Sequence, residues 1–406
     1  MKLTYLPDEF KRALPVINQL EQAGFEAYFV GGCVRDAILG LPIHDVDIAT
    51  SAFPAEIKAV FDRTIDVGIE HGTVLVLTED ESYEITTFRT ESTYQDYRRP
   101  DHVDFVRSLE EDLKRRDFTI NALALAHDGT VIDLFDGLTD LENRCLRAVG
   151  QAQDRFKEDA LRMMRGLRFV SQLDFQLEEK TKQAITAHAH LLAKISVERI
   201  CIEFEKLLIG KNRSQALLLF VETTCFKYCP QLAQYQAQLL AFANNNRNEV
   251  ADMTVAWALL LAQLGFSSKQ VKPFLKAWKT SNQLCIDVQL LLQMLTIRQQ
   301  RAFEALDLYR LNTEIVPKLS QLCLLYQLPE TTDALLQRYQ ALPIHQLKDL
   351  AINGHDLMTA FQRTGGSWLK QLLTLCEQAV LNGEIANEKI ALLAYAKEQM
   401  YCEKID

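Results

Sequence analysis

The segment Tyr28–Thr50, YFVGGCVRDAILGLPIHDVDIAT, constrains the fold more than any other part of this 406-residue chain. An apolar β-type run, Tyr28-Phe29-Val30, is broken by Gly31-Gly32. A helical turn follows, and a second short strand then carries Asp45 and Asp47 on either side of Val46. Strand side chains two apart point to one face, so the two carboxylates are expected to project together while Val46 turns into the core. Adjacent carboxylates repel unless a cation lies between them. Hard oxygen donors on one edge suit Mg²⁺, which takes one or two carboxylates plus substrate phosphates. The glycines let backbone approach a triphosphate closely, and Arg35 is placed to pair with it.

The length predicts two or more domains. A hydrophobic content of 48% and a charged content of 24% are those of an ordinary soluble globular protein. MKLTYLPDEFKR lacks the apolar region of a signal peptide, and no run of eighteen apolar residues exists. A cytoplasmic protein with no membrane contact is therefore expected. The nine cysteines are scattered, and Cys225 and Cys229 have no second pair at zinc spacing, so they read as buried reduced thiols. The net charge of −10 disfavours indiscriminate polyanion binding. Basic groups are nevertheless concentrated at Arg98-Arg99, at Lys114-Arg115-Arg116 and at Arg162, Arg165 and Arg168, where nucleotide or RNA phosphates can be held.

In chain order, residues 8–24 read as an amphipathic helix ended by Gly24. Residues 54–62 read as a helix with Pro54 in its first turn. GTVLVL (72–77) and YEITTF (83–88) form a hairpin whose second strand carries Glu84, a candidate third carboxylate. Residues 90–106 lose all apolar period and predict a mobile loop containing Tyr94, Tyr97, Arg98 and Arg99. The stretch 108–125, SLEEDLKRRDFTINALAL, predicts one helix with a capping box at Ser108 and Glu111; Arg116 and Asp117 interrupt its apolar face and must find partners if buried. From residue 154 onward only helices are expected, among them 159–172, 181–193, 197–209, 251–264, 285–297, 312–327 and 367–382.

A second constellation lies in RFKEDALRMMRGLRF (155–169). Asp159 and Arg162 are three apart and predict helix neighbours; Arg165 and Arg168 continue the row, which drifts around the axis at 3.6 residues per turn. The plain reading is an intrahelical ion pair worth ~0.3–0.5 kcal/mol. The sharper one follows from valence: Asp only accepts and Arg only donates. The pairing edges of cytosine and adenine offer an amino donor beside a ring-nitrogen acceptor, and those of guanine and uracil the reverse. One fixed Asp/Arg pair suits C and A, and unpaired polar groups can reject G and U by ~10⁴–10⁵.

Four motifs in order, GGCVRD, DVDIAT, RRDFTINALA and EDALRMMRGLRF, resemble the class II CCA-adding enzymes, the tRNA nucleotidyltransferases, most closely their Bacillus-like bacterial branch. ISVERI (195–200) matches the motif that closes the neck, and INGHDLM (352–358) is a weaker patch. The resemblance implies an α+β fold: a polymerase-β-type nucleotidyltransferase head with a small mixed sheet (1–148), then an all-helical neck (149–210), body (211–330) and tail (331–406). It implies that Asp45 and Asp47 hold two Mg²⁺ ions, with Glu84 a third candidate. Gly32 and Arg35 would contact the triphosphate, Arg116 the nucleotide and Asp117 its ribose. Asp159 and Arg162 would read the base, assisted by Arg165 and Arg168. CTP and ATP are the implied substrates, and the 3′ end and acceptor-T arm of tRNA the implied partner, gripped by shape and phosphates. Whether the tail meets tRNA or a second subunit of a homodimer stays open.

The rivals are a bacterial poly(A) polymerase, which usually carries a long basic extension where this chain ends AYAKEQMYCEKID, an A-adding enzyme, and a CC-adding enzyme lacking the 90–106 loop. A non-catalytic tRNA-binding protein conflicts with the intact candidate residues. A phosphohydrolase prompted by His355-Asp356 lacks matching ligands, and His188 and His190 read as helix-surface residues.

Overall fold

The computed structural model describes residues 1–79, 81–91, 94–95, 99–100, 103–245 and 249–402. By contact the chain divides into two compact units, Met1–Ala251 with Ala277–Thr280, and Asp252–Lys276 with Ser281–Asp406.

The first unit opens with α1 (Asp8–Gln22), which buries Phe10, Ala13, Val16, Ile17 and Leu20 at helical spacing. Phe10 packs on Phe29 with ring centroids 4.6 Å apart. Next come β1 (Ala27–Val30), α2 (Gly32–Leu39), β2 (Ile48–Thr50), α3 (Pro54–Val60), β3 (Thr64–Gly68), β4 (Thr73–Leu77) and β5 (Ser82–Thr87). A ribbon follows, β6 (Arg89–Glu91), β7 (Tyr94–Gln95), β8 (Arg99–Pro100) and β9 (Val103–Phe105). The head ends with α4 (Leu109–Lys114), β10 (Leu123–Leu125), β11 (Val131–Asp133), α5 (Gly137–Glu142) and β12 (Cys145–Leu146).

Seven strands form one mixed sheet in the order β11-β10-β1-β2-β5-β4-β3. Its pairs are antiparallel except β2 with β5, where Ile48 lies opposite Ile85 in parallel register. Along β5, Tyr83, Ile85 and Thr87 are buried while Ser82 and Glu84 stay open, the alternation that a half-covered strand requires.

The remaining helices of this unit are α6 (Ala152–Glu158), α7 (Leu161–Leu173), α8 (Glu179–His188), α9 (Val197–Leu208), α10 (Arg213–Glu222) and α11 (Gln236–Asn245). The second unit contains α12 (Met253–Gln263) and most of α13 (Ser268–Ala277). It continues through α14 (Asn282–Gln300), α15 (Ala305–Tyr309), α16 (Ile315–Leu325), α17 (Thr332–Gln340), α18 (Gly354–Phe361), α19 (Ser367–Leu381) and α20 (Lys389–Cys402). Among the described residues no helix is long and apolar enough to cross a membrane.

Four expectations are corrected. Residues 108–125 are not one helix: α4 stops at Lys114, a 3₁₀ turn covers Thr119–Asn121, and β10 begins at Leu123. Leu123, Ala124 and Leu125 are wholly buried between β1 and β11, so sheet packing overrides helix propensity there. Residues 90–106 are not patternless, because Arg89–Glu91 pairs antiparallel with Val103–Phe105 and Tyr94–Gln95 with Arg99–Pro100. Tyr97 and Arg98 lie outside the described residues. A strand does follow residue 150: Gln176–Leu177 forms β13, parallel to β12. Finally, Asp45 and Asp47 precede β2 instead of lying on it, and Val46 is only half-buried. The partner strand β1 ends at Val30, whose N–H reaches Asp47 O at 3.0 Å; Gly31 then turns away and leaves Asp45 no ladder partner.

Candidate active site

Three carboxylates share one cleft, lined by His44, Asp45, Asp47, Leu75 and Glu84. Register explains the meeting. Ile48 opposes Ile85, so one step earlier Asp47 comes beside Glu84 on the same face of the sheet. Among the described residues, none of Asp45, Asp47 and Glu84 forms a salt bridge or a side-chain hydrogen bond. Asp47 is exposed as a residue, but desolvation by the surrounding protein raises the pKa of its carboxyl; Arg116 opposes that shift, and Glu84 and Asp45 reinforce it. An uncompensated set of hard oxygens fits a divalent cation. No three His, Cys, Asp or Glu side chains among the described residues converge tightly enough to enclose one, and Mg²⁺ completes its shell with substrate phosphates and water.

Against the carboxylates stands the glycine turn. Gly31 has φ +78° and ψ −133°, a conformation essentially reserved for glycine. A Cβ there would lie 2.8 Å from Arg116 Nη1 and 4.0 Å from Asp47 Oδ2. The bare backbone thus sits between an arginine and a carboxylate.

Arg116 is held by Asp112, which is 1% exposed and also binds Arg115. Burial alone would raise the Asp112 carboxyl, but the two arginines outweigh it and leave it below its ordinary value. On α2, Arg35 is clamped by Asp36 at 2.9 and 3.0 Å. Its Nη1 also donates to Asn121 Oδ1, and Asn121 Nδ2 donates to Asp117 Oδ1 at 3.1 Å. Asp117 closes the chain by accepting from Arg165 Nε at 2.7 Å. Burial works against the Asp117 charge, yet Arg165, Asn121 and Arg162 together bring its pKa down to about 2. Arg168 pairs with the buried Glu203 at 2.8 Å.

Asp159 and Arg162 do not lie on the one unbroken helix that the spacing predicts. The helix breaks after Glu158: Asp159 is extended at φ −132° and ψ 105°, and α7 starts at Leu161. Asp159 accepts from the Leu161 N–H at 3.0 Å, so it caps the new helix. It takes its ion pair from Arg199 on α9 at 2.7 Å. Arg162 pairs with Glu158 one turn earlier and donates to Arg115 O at 2.8 Å. The row of four therefore never forms on a single helix.

Sequence reasoning missed Asp112, Asn121, Glu158, Arg199 and Glu203. Glu158 stands four before Arg162, a local spacing that could have found it. Arg199, inside ISVERI, lies 40 positions from Asp159, and no local spacing pairs the two. His355-Asp356 belongs to a helix start in the second unit, where Asp356 caps Asn353 N–H and pairs with Lys389. His188 and His190 stack on one another at 6.5 Å.

Three family models match the chain: a poly A polymerase head domain over residues 27–147, an RNA and SrmB-binding site of polymerase A over 174–236, and a tRNA nucleotidyltransferase domain 2 over 248–396. The CCA-adding enzyme of Enterococcus faecalis is 54% identical over 399 residues, covering 98% of each chain. That of Lacticaseibacillus paracasei is 51% identical with the same coverage. The solved structure of the Bacillus stearothermophilus CCA-adding enzyme in complex with CTP superposes with a TM-score of 0.90 at 42% identity, covering 98% of this chain and 99% of that one. With three carboxylates in one cleft, the glycine turn set between Asp47 and Arg116 and 54% identity over 399 residues, the chain belongs to the CCA-adding enzymes, the class II tRNA nucleotidyltransferases.

Proposed function

We propose that this chain rebuilds the 3′-terminal CCA of tRNA, adding C, C and A from CTP and ATP without a template and releasing pyrophosphate. The observation that carries it is the contact at Gly31, which brings bare backbone between Asp47 and Arg116. A triphosphate laid on that turn meets N–H groups and arginines on one side and the carboxylates on the other.

Asp45 and Asp47 would hold Mg²⁺, with Glu84 beside them. When bound, the ions supply Lewis-acid chemistry to the primer hydroxyl, the α-phosphate and the departing pyrophosphate. Gly32, Arg35 and Arg116 bind and orient the triphosphate, and Arg165 and Arg168 add positive charge. Asp117, kept ionised by Arg165, accepts from a ribose hydroxyl. Asp159 accepts from the exocyclic amino group of C or A, and Arg162 donates to the neighbouring ring nitrogen. Glu158 and Arg199, which pair with these two, hold them in place before a base arrives. The division into head, neck, body and tail assigns catalysis to residues 1–148, base reading to 149–210 and the grip on the tRNA acceptor-T arm to the helices beyond.

The test is a tRNA transcript trimmed of its last three nucleotides, given Mg²⁺ and each nucleoside triphosphate singly, then CTP with ATP. Two residues from CTP alone and one further A from the mixture are expected. A ladder of A would mean a poly(A) polymerase, and a requirement for a pre-existing CC end an A-adding enzyme. Asp45→Ala should abolish incorporation and spare tRNA binding; retained catalysis overturns the metal assignment.

A further inference from the structure

Three of the arginines assigned to the incoming nucleotide meet at one aromatic ring. The guanidinium carbons of Arg168, Arg35 and Arg165 lie 4.1, 5.2 and 5.6 Å from the centroid of Phe169. Arg165 and Arg168 come from α7, the helix that carries Phe169, whereas Arg35 comes from α2. The ring is 5% exposed, and Phe118 meets it edge-on at 5.8 Å and 82°. Each guanidinium has its own carboxylate: Asp36 for Arg35, Asp117 for Arg165 and Glu203 for Arg168.

Three like charges around one ring repel. Burial lowers the pKa of Arg168 to about 10; Glu203 opposes this, and Arg165 and Arg35 add to the lowering. The negative face of an aromatic ring attracts cations without neutralising them. An aliphatic side chain in its place would fill the volume with no such attraction.

We propose that Phe169 is a positioning residue whose ring gathers Arg35, Arg165 and Arg168 into a single cationic array for the triphosphate. The proposal rests on the assignment of those arginines to the nucleotide. It acts on the part common to CTP and ATP and leaves the choice of base to Asp159 and Arg162.

The experiment compares the full-length protein with its Phe169→Leu, Phe169→Met and Phe169→Tyr variants, using tripolyphosphate with Mg²⁺ as a probe that has neither sugar nor base. Phe169→Leu and Phe169→Met should weaken tripolyphosphate, CTP and ATP alike, by roughly tenfold as expected for losing desolvated cation–π contacts. KM should rise with kcat nearly unchanged and the C-to-A preference intact. Phe169→Tyr should restore binding, because the ring face returns. Wild-type tripolyphosphate affinity in Phe169→Leu overturns the proposal, as does a loss that Phe169→Tyr leaves unrepaired. Arg35→Ala and Arg165→Ala serve as the reference: if neither weakens tripolyphosphate, the underlying nucleotide assignment fails, whereas if both do and Phe169→Leu does not, only the role of Phe169 fails.

Discussion

Arg35 donates its Nη1 to Asn121 Oδ1 at 2.6 Å, joining positions 86 apart in the chain. The amide of Asn121 has a fixed sense. Its oxygen faces an arginine and its nitrogen faces the Asp117 carboxylate. One buried side chain thereby links Arg35, proposed to bind the triphosphate, to Asp117, proposed to accept from the ribose.

Replacing that amide by its acid should break the link. In Asn121→Asp a carboxylate faces Asp117, and like charges in a buried site repel. KM for CTP and for ATP is expected to rise together, by about ten- to a hundredfold for a loss of ~1.5–3 kcal/mol. Steady-state kinetics with both nucleotides check this; an effect on one nucleotide alone would place Asn121 in base reading.

The pair proposed to read the base should show the opposite pattern. Asp159→Ala removes the proposed acceptor for the amino group and also frees Arg199, its ion-pair partner. Incorporation from CTP should fall by ~10²-fold or more, and discrimination against UTP should shrink, since rejection depends on groups left unpaired. Arg199→Ala should weaken the same discrimination less. Single-nucleotide extension read on a sequencing gel distinguishes the two.

Asp117 carries a pH dependence whose sign is fixed. Its folded pKa of about 2 lies below the ordinary 3.8, so the unfolded chain binds the proton more tightly. The stability it contributes is present above pH 3.8 and lost as pH falls through the folded value. By pH 3 the loss from this group is ~1 kcal/mol. Urea midpoints at pH 5 and pH 3 should therefore differ by more in the wild type than in Asp117→Asn; equal differences would contradict the shift.

Gly31→Ala meets two obstacles, the positive φ and Arg116 Nη1 at 2.8 Å. The backbone strain alone is worth ~1–3 kcal/mol. Thermal denaturation should show that loss, and KM for nucleotides should rise because Arg116 is displaced. An unchanged KM would place Arg116 away from the substrate.

Much of this was legible locally. The α1 stripe Phe10, Val16, Ile17 and Leu20, the β4–β5 hairpin and the glycine turn all declare themselves within a few residues. The segment 108–125 did not, because Leu123–Leu125 is a strand only by virtue of its neighbours β1 and β11. The helix break at Asp159 was not legible either: it is stabilised by the capped Leu161 N–H and by Arg199, and neither shows in the spacing of the motif. Glu203 and Asn121 were missed for the same reason, since their partners Arg168 and Arg35 lie on other elements.

The parallel pairing of Ile48 with Ile85 bears on how the cleft is assembled. A parallel pair needs a crossover, here made of α3, β3 and β4, and loop closure must precede its contacts. Asp45 and Asp47 are neighbours from the moment they are synthesised, but Glu84 joins them only after that crossover has folded. The three carboxylates therefore come together only once β5 has docked against β2, so their cleft is a product of the finished sheet and not of the local sequence.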